Sequence, residues 1–145
     1  VLGIVNTFQP FIDAMEKRGS GTLVGISSIA GFRGMPGSGA YSASKAAVNV
    51  YLESLRVELS SSGVRVLTIC PGYIKTAMTD VNPFYMPFLM KPEAAAHSIK
   101  KVIDKNKCFH VMPWQMRIVA YFLRVLPRVV YDQLLKRAPR KPRSI

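Results

Sequence analysis

The chain has 145 residues, a formal net charge of +12, 49% apolar residues and 19% charged residues. This composition predicts one folded domain and excludes an intrinsically disordered protein, which combines low hydrophobicity with high charge. The ten glycines and ten prolines follow no period, which excludes a collagen-like or coiled-coil protein.

The spacing of apolar residues and the positions of glycine and proline predict an alternation of helices and strands. In chain order these are a helix over 1–18, a strand over 22–27, a glycine-rich loop over 29–40, a helix over 40–60, a strand over 64–70, an irregular segment over 73–90, a helix over 92–103, a strand over 108–112, and helices over about 114–125 and 128–137. Strands that alternate with helices indicate an open parallel α/β sheet with flanking helices.

One candidate site involves a tyrosine and a lysine on the second long helix. Tyr41 and Lys45 are four residues apart, so their side chains share a face of the helix. An ammonium group beside a phenol favours the phenolate form, as does the positive end of the helix dipole in the first turn. A phenol in that setting can exchange a proton with a carbonyl or hydroxyl oxygen.

A serine pair at the end of the first predicted strand adds a second part of this site. Ser28 lies at the carboxyl edge of the sheet, where open α/β sheets bind ligands, and its hydroxyl can hydrogen-bond the reacting oxygen. Its neighbour Ser27 is the alternative for this role.

With these residues the chain closely resembles the short-chain dehydrogenases/reductases. Ser28 precedes Tyr41 by thirteen positions, Tyr41 to Lys45 reads Y-x-x-x-K, and Pro71 to Thr76 reads P-G-x-I-x-T after the next strand. The resemblance covers about residues 1–112 and implies the second half of a Rossmann-like fold. Counting thirteen positions back from the tyrosine favours Ser28 over Ser27.

The resemblance implies a role for each matching residue. Tyr41 would be the general acid/base, Lys45 would stabilise its phenolate and hydrogen-bond the nicotinamide ribose, and Ser28 would orient the substrate oxygen. The NAD(P)(H) cofactor would further contact four residues after the second strand. These are Pro71, Gly72, Ile74 and Thr76. For Thr76 the alternative is that it only caps the N-terminus of a short helix.

Two parts of the family pattern are absent from the chain. The glycine-rich dinucleotide turn is missing, and with it the residue that selects NAD or NADP. The family's catalytic asparagine would lie just before Val1, and Asn6 is too far into the helix to replace it. We therefore expect the chain to be the catalytic half of a longer enzyme and to be inactive alone. The alternative is a non-catalytic fragment that only associates or scaffolds.

The irregular segment that follows Thr76 is rich in methionine and aromatic residues. We expect a mobile lid over an apolar, lipid-like or steroid-like alcohol or ketone, with a local core plug as the alternative. The candidate substrate contacts are Phe84, Met86 and Phe88, together with Ser28.

The last part of the chain is basic and amphipathic. Residues 115–145 contain eight Lys and Arg but only one acidic residue, Asp132. We expect residues 1–113 to form the catalytic part and residues 114–145 a helical extension. The extension is interpreted either as an anchor to an anionic membrane surface or as helices packed on the chain's own domain or on a second subunit.

Partners and compartment follow from the same observations. The apolar helices 1–18 and 41–60 correspond to those that the resembled family buries in a dimer interface, so we expect a homo-oligomer. No nucleic-acid motif occurs, and neither His97 nor His110 has metal-ligand spacing to a partner. Cys70 and Cys108 both lie in apolar runs, which predicts two buried thiols and a reducing, cytoplasmic location that allows peripheral membrane contact.

Overall fold

The computed structural model describes residues 1–82 and 85–136. The helices are α1 (Leu2–Arg18), α2 (Gly39–Glu58), α3 (Ala77–Asp80), α4 (Pro92–Asp104), α5 (Trp114–Val125) and α6 (Arg128–Leu135), with a 3₁₀ turn at Ile29–Gly31. The strands are β1 (Gly21–Ile26), β2 (Val64–Pro71) and β3 (Phe109–Met112). The predicted order of elements is confirmed, and their ends agree to within a few residues.

The three strands form one parallel sheet in the order β1-β2-β3. Gly21 of β1 lies opposite Val64 of β2, and Thr68 of β2 lies opposite Phe109 of β3. Since all three strands run the same way, their carboxyl ends meet at one edge of the sheet. The predicted open parallel α/β sheet is confirmed.

Helices α1 and α2 cover one face of the sheet. Leu52 of α2 is fully buried there, in a cluster that includes Phe8 of α1 and Val66 of β2. Gly25 of β1 makes this packing possible, because a Cβ atom added there would lie 2.3 Å from Cδ1 of Leu52. The absence of a side chain at Gly25 therefore lets α2 lie directly on β1.

The opposite face of the sheet is covered by α4. Alternate residues of a strand point to opposite faces, so Leu67 and Ile69 of β2 turn away from α2 and pack with Ala95 and Val102 of α4. This second apolar layer explains why β2, the central strand, is an almost continuous run of buried residues.

Helix α5 packs against the end of the sheet formed by β2 and β3. Its buried residues Met116 and Ala120 contact a cluster that contains Ile29, Cys70 and Val111. Its other side is exposed and carries large apolar side chains, which we call the α5 stripe. The members of the α5 stripe are Trp114, Ile118, Tyr121, Phe122 and Val125.

The two cysteines differ from the prediction of two buried thiols. Cys70 is buried, and burial raises the pKa of its thiol to about 11, while the charge of Arg124 opposes this shift. Cys108, by contrast, is exposed, so that prediction is wrong for it. Cys108 precedes β3, and only its backbone carbonyl joins the sheet, accepting a hydrogen bond from the backbone N–H of Thr68.

Within the part of the chain that the structure describes, every helix is too short or too polar to cross a bilayer.

Candidate functional site

A cavity of about 630 Å³ opens at the carboxyl edge of the sheet, where β1 and β2 end. Ser28, just beyond β1, is buried and lies on its wall. The Oγ atom of Ser28 accepts a hydrogen bond from the backbone N–H of Ala30 at 3.2 Å, which caps the 3₁₀ turn. Because the oxygen acts as the acceptor in that bond, the Ser28 hydroxyl hydrogen is still able to bind a ligand in the cavity.

Ser27 has a different role from its neighbour. Its hydroxyl donates to the backbone carbonyl of Lys45 at 3.0 Å, so it ties the end of β1 to α2. Ser27 is absent from the cavity wall, whereas Ser28 lines it. Of the two serines, Ser28 therefore lies on the cavity wall and Ser27 lies at the junction with α2.

Tyr41 and Lys45 lie on adjacent turns of α2. Tyr41 is in the first turn, is half-exposed and lines the cavity together with Ser28. The Nζ atom of Lys45 is 5.8 Å from the centre of the Tyr41 ring and donates a hydrogen bond to the carbonyl of Ile26 at 3.1 Å. This bond holds the ammonium at the end of β1 and leaves two of its N–H groups available.

The residues after β2 divide into two groups. Gly72 and Ile74 lie on the cavity wall, but Pro71 and Thr76 do not. Thr76 is the N-cap of α3, and the Thr79 hydroxyl accepts a hydrogen bond from its backbone N–H at 2.8 Å. The capping role that the sequence left open for Thr76 is therefore present in the structure.

The irregular segment is tied at its base to the residues after β2. The backbone N–H of Lys75 donates to the carbonyl of Met90, and the N–H of Met90 donates to the carbonyl of Tyr73, both at 2.9 Å. Between these bonds, Tyr85 lines the cavity and is 87% exposed, which places it at the mouth rather than in the floor.

Two of the three predicted substrate contacts of this segment, Met86 and Phe88, are not on the described cavity wall. Met86 is half-buried, and its sulfur accepts a hydrogen bond from Nδ2 of Asn82 at 3.4 Å. Phe88 is exposed and has a φ of 57°. Phe84 lies outside the described residues.

The sequence did not reveal that the C-terminal helices help to form the cavity. Leu135 of α6 lines it, and the Tyr131 hydroxyl donates a hydrogen bond to the carbonyl of Gly34 in the glycine-rich loop. Nη1 of Arg33 donates to the carbonyls of Leu123 at 3.1 Å and Leu126 at 2.5 Å. The guanidinium of Arg33 also lies 4.2 Å from the centre of the Tyr131 ring. These contacts fix α5 and α6 to the loop that carries much of the cavity wall.

Tyr73 is a second wall residue that the motif did not single out. Tyr73 lines the cavity between Gly72 and Ile74, and burial raises the pKa of its phenol. Its position directly after Gly72 is the one signal that could have identified it.

The histidines show no sign of a metal site. His110 pairs with the hydroxyl of Ser98 at 3.3 Å, while His97 is exposed on α4. Over residues 1–82 and 85–136 there is no group of three or more potential metal-binding side chains.

Comparison with known proteins places this geometry in a family. The family model described as short chain dehydrogenase matches residues 1–83, a range that contains Ser28, Tyr41, Lys45 and the segment from Pro71 to Thr76. An uncharacterized oxidoreductase from Myxococcus xanthus is 42% identical over 137 residues, which are 94% of this chain and 54% of that protein. An acetoacetyl-CoA reductase from Synechocystis is 44% identical over 131 residues, which are 74% of this chain and 55% of that protein.

Solved structures agree with these relatives. A short chain dehydrogenase from Burkholderia cenocepacia in complex with NADP has a TM-score of 0.79 and 25% identity, over 93% of this chain and 55% of that protein. The chain therefore spans about half the length of the relatives it matches.

Gly31 offers a test of how closely the 3₁₀ turn after β1 must approach α2. A Cβ atom at Gly31 would lie 2.7 Å from the carbonyl carbon and 2.8 Å from the carbonyl oxygen of Lys45, which are backbone atoms. We expect Gly31→Ala to lower the free energy of unfolding by about 1–3 kcal/mol, the usual penalty of overpacking. Denaturant unfolding of the protein that contains this chain measures it.

The matched control is Gly34→Ala in the same loop, where an added Cβ would meet nothing within 4 Å. Its unfolding midpoint should stay close to that of the unmodified protein. Equal midpoints for the two variants would contradict the close packing of the turn on α2.

Proposed function

Because the chain belongs to the short-chain dehydrogenase family, we propose that it supplies the catalytic half of an NAD(P)-dependent oxidoreductase. In this proposal residues 1–113 are the catalytic part, and residues 114–145 are an extension that completes the substrate cavity. The reaction interconverts an alcohol and a ketone. The observation that carries the proposal is the meeting of Ser28 and Tyr41 on one cavity wall, with Lys45 one helical turn further along.

In this mechanism Tyr41 transfers the proton to or from the substrate oxygen. When an alcohol is oxidised, the Tyr41 phenolate takes the hydroxyl proton; when a ketone is reduced, the Tyr41 phenol gives a proton to the carbonyl oxygen. The Ser28 hydroxyl hydrogen bonds to the same oxygen and orients it, since the Ser28 oxygen is already held by the N–H of Ala30. The ammonium of Lys45 lies 5.8 Å from the centre of the Tyr41 ring, on the next turn of the same helix.

The chain offers part of a cofactor site. A bound nicotinamide cofactor supplies or accepts the hydride in this chemistry. Lys45 fits such a ligand, because its ammonium is held by Ile26 beside the site and has N–H groups left to donate. Gly72 and Ile74 would line the same side, and Pro71 and Thr76 would support them from the end of β2 and the start of α3.

The cavity wall supports an apolar substrate. It includes the side chains of Ile29, Met35, Ile74 and Leu135, with the Tyr85 ring at the mouth. The names of two relatives, an acetoacetyl-CoA reductase and a ketoacyl reductase from Nostoc, agree with a ketone on an acyl chain. Met86 and Phe88 would contact the substrate only if their segment closes over the cavity, while Phe84, which lies outside the described residues, stays a predicted contact.

Self-association is a further part of the proposal. Helices α1 and α2 expose Leu2, Phe11, Val50 and Val57, each by more than half of its surface. Apolar side chains concentrated on two adjacent helices favour burial against a second copy. We expect a dimer or tetramer in sedimentation velocity, and Phe11→Asp together with Val50→Asp should shift it toward the monomer.

Tyr41→Phe tests the proton-transfer role directly. We expect kcat to fall by about 10²- to 10⁴-fold, the usual contribution of a general acid or base, while the cofactor dissociation constant changes little. Steady-state kinetics and cofactor titration of the full protein measure the two quantities. Tyr51→Phe, the same substitution on the same helix but against the core, is the control. Nearly normal turnover by Tyr41→Phe would contradict the assignment.

A second candidate function, membrane-surface attachment, is favoured by the α5 stripe. Its five large apolar side chains are all exposed, and Arg117 and Arg124 lie on the same helix. A helix of this kind can lie in a membrane interface, with its apolar side in the acyl region and its cations near anionic headgroups.

We expect Trp114→Ser together with Ile118→Ser to abolish co-flotation with phosphatidylglycerol vesicles, because both side chains belong to the apolar side of α5. Val81→Ser with Leu89→Ser removes two exposed apolar side chains that lie outside α5 and outside the proposed self-association surface, and should leave flotation unchanged. If all three proteins float equally, or if the unmodified protein does not float, the attachment function is wrong.

A further inference from the structure

A second cavity of about 610 Å³ lies along β3, the outer strand of the sheet, between α4 and α5. We call it the β3 groove. It has no lining residue in common with the cavity that contains Ser28 and Tyr41. The cationic residues on its wall are Lys101, Lys105, Lys107, Arg117 and Arg124.

These five cations lack carboxylate partners. Within the described ranges, the ion pair between Lys100 and Asp104 is the only one, and neither of these two residues lines the groove. Among the described residues that line the groove, none is acidic. Five like charges around one concave surface repel one another and produce a positive potential, which a bound anion relieves.

The groove also contains a positioned guanidinium. Arg124 lies 4.4 Å from the centre of the Phe32 ring and 5.6 Å from that of Phe109. Stacking of this kind holds the guanidinium plane in place, and its N–H groups match the oxygens of a phosphate. Since the side chain is already ordered, binding would lose less conformational entropy.

Neutral hydrogen-bonding groups complete the wall. Ser98 and His110 line the groove, 3.3 Å apart. Burial, and after it the charge of Arg117, lowers the pKa of His110, so the ring is neutral near pH 7. The positive charge of the groove at that pH therefore comes from its lysines and arginines.

We propose that the β3 groove binds a phosphate ester that carries at least two negative charges. Lysines and arginines together are the usual partners of phosphate groups, with arginine adding directional, two-pronged bonds. The volume exceeds that of a single inorganic anion, and the rings of Phe109 and Tyr121 offer an apolar border for the organic part of the ligand.

Two other occupants fit the groove less well. Residues 133–145 contain only basic ionisable side chains, Lys136, Arg137, Arg140, Lys141 and Arg143, so the side chains of this segment supply no counter-charge. A second copy related by a twofold axis through the groove would bring the same five cations against each other, which opposes that contact.

The phosphate could belong to a soluble ester or to a lipid headgroup. Tyr121 is shared by the groove and the α5 stripe, so a lipid at a bilayer surface could reach the same cations. The experiment is therefore designed with one arm for each source.

In the first arm, the full protein is titrated calorimetrically with inorganic pyrophosphate at an ionic strength of about 0.1 M, where charges interact over ~10 Å. We expect saturable binding that weakens at least about tenfold in Lys101→Gln with Lys105→Gln. Lys17→Gln with Arg56→Gln, which removes two cations from α1 and α2, is the control and should bind normally. Calorimetry measures binding without turnover, so a failure of this proposal can be distinguished from a failure of the oxidoreductase proposal.

In the second arm, binding to vesicles that contain phosphatidic acid, a lipid with a phosphate monoester that can carry two negative charges, is measured with and without pyrophosphate. If pyrophosphate displaces the protein from the vesicles, the phosphate in the groove belongs to a lipid headgroup. If vesicle binding is unchanged while pyrophosphate binds saturably, the ligand is a soluble ester. Either result supports the proposal when the Lys101/Lys105 variant loses pyrophosphate affinity. The proposal is overturned if pyrophosphate does not bind, or if it binds equally to that variant and to the control.

Discussion

The site depends on a contact between two stretches of backbone. The turn after β1 approaches α2 so closely at Gly31 that no Cβ atom fits between it and Lys45, and the Ser27 hydroxyl bonds to the carbonyl of the same lysine. Two further links strengthen this junction, the packing of Leu52 on Gly25 and the hydrogen bond from Lys45 to Ile26. Together they set the distance between Ser28 and Tyr41, which lie on different elements.

The two adjacent serines, Ser27 and Ser28, make different contacts because of this junction. In β1 and its extension, alternate side chains point to opposite sides, so Ser27 faces α2 while Ser28 faces the cavity. The Ser27 hydroxyl links the end of β1 to α2, and the Ser28 hydroxyl faces the cavity. A site built on strand ends and helix turns in this way is more rigid than one built on loops alone.

Much of the fold and part of the site could be predicted from the sequence, since both depend on local patterns. The alternation of apolar periods predicted every strand, and the four-residue spacing of Tyr41 and Lys45 predicted that they share a helix face. The exposure of Cys108 was missed because an apolar neighbourhood in sequence says little about a position just before an edge strand. The role of Leu135 and Tyr131 was missed because it depends on contacts about a hundred residues apart, which no local period encodes.

The anchoring of the C-terminal helices has a consequence for how the C-terminal segment can change. Arg33 donates hydrogen bonds to two carbonyls at the end of α5, and the Tyr131 hydroxyl of α6 donates to the carbonyl of Gly34, so both contacts lie beside the cavity that contains Ser28. A C-terminal segment exchanged without the glycine-rich loop would lose the contacts that Tyr131 makes with Arg33 and Gly34. Recombination of tail and loop must therefore occur as a matched pair for the shape of the cavity to be inherited.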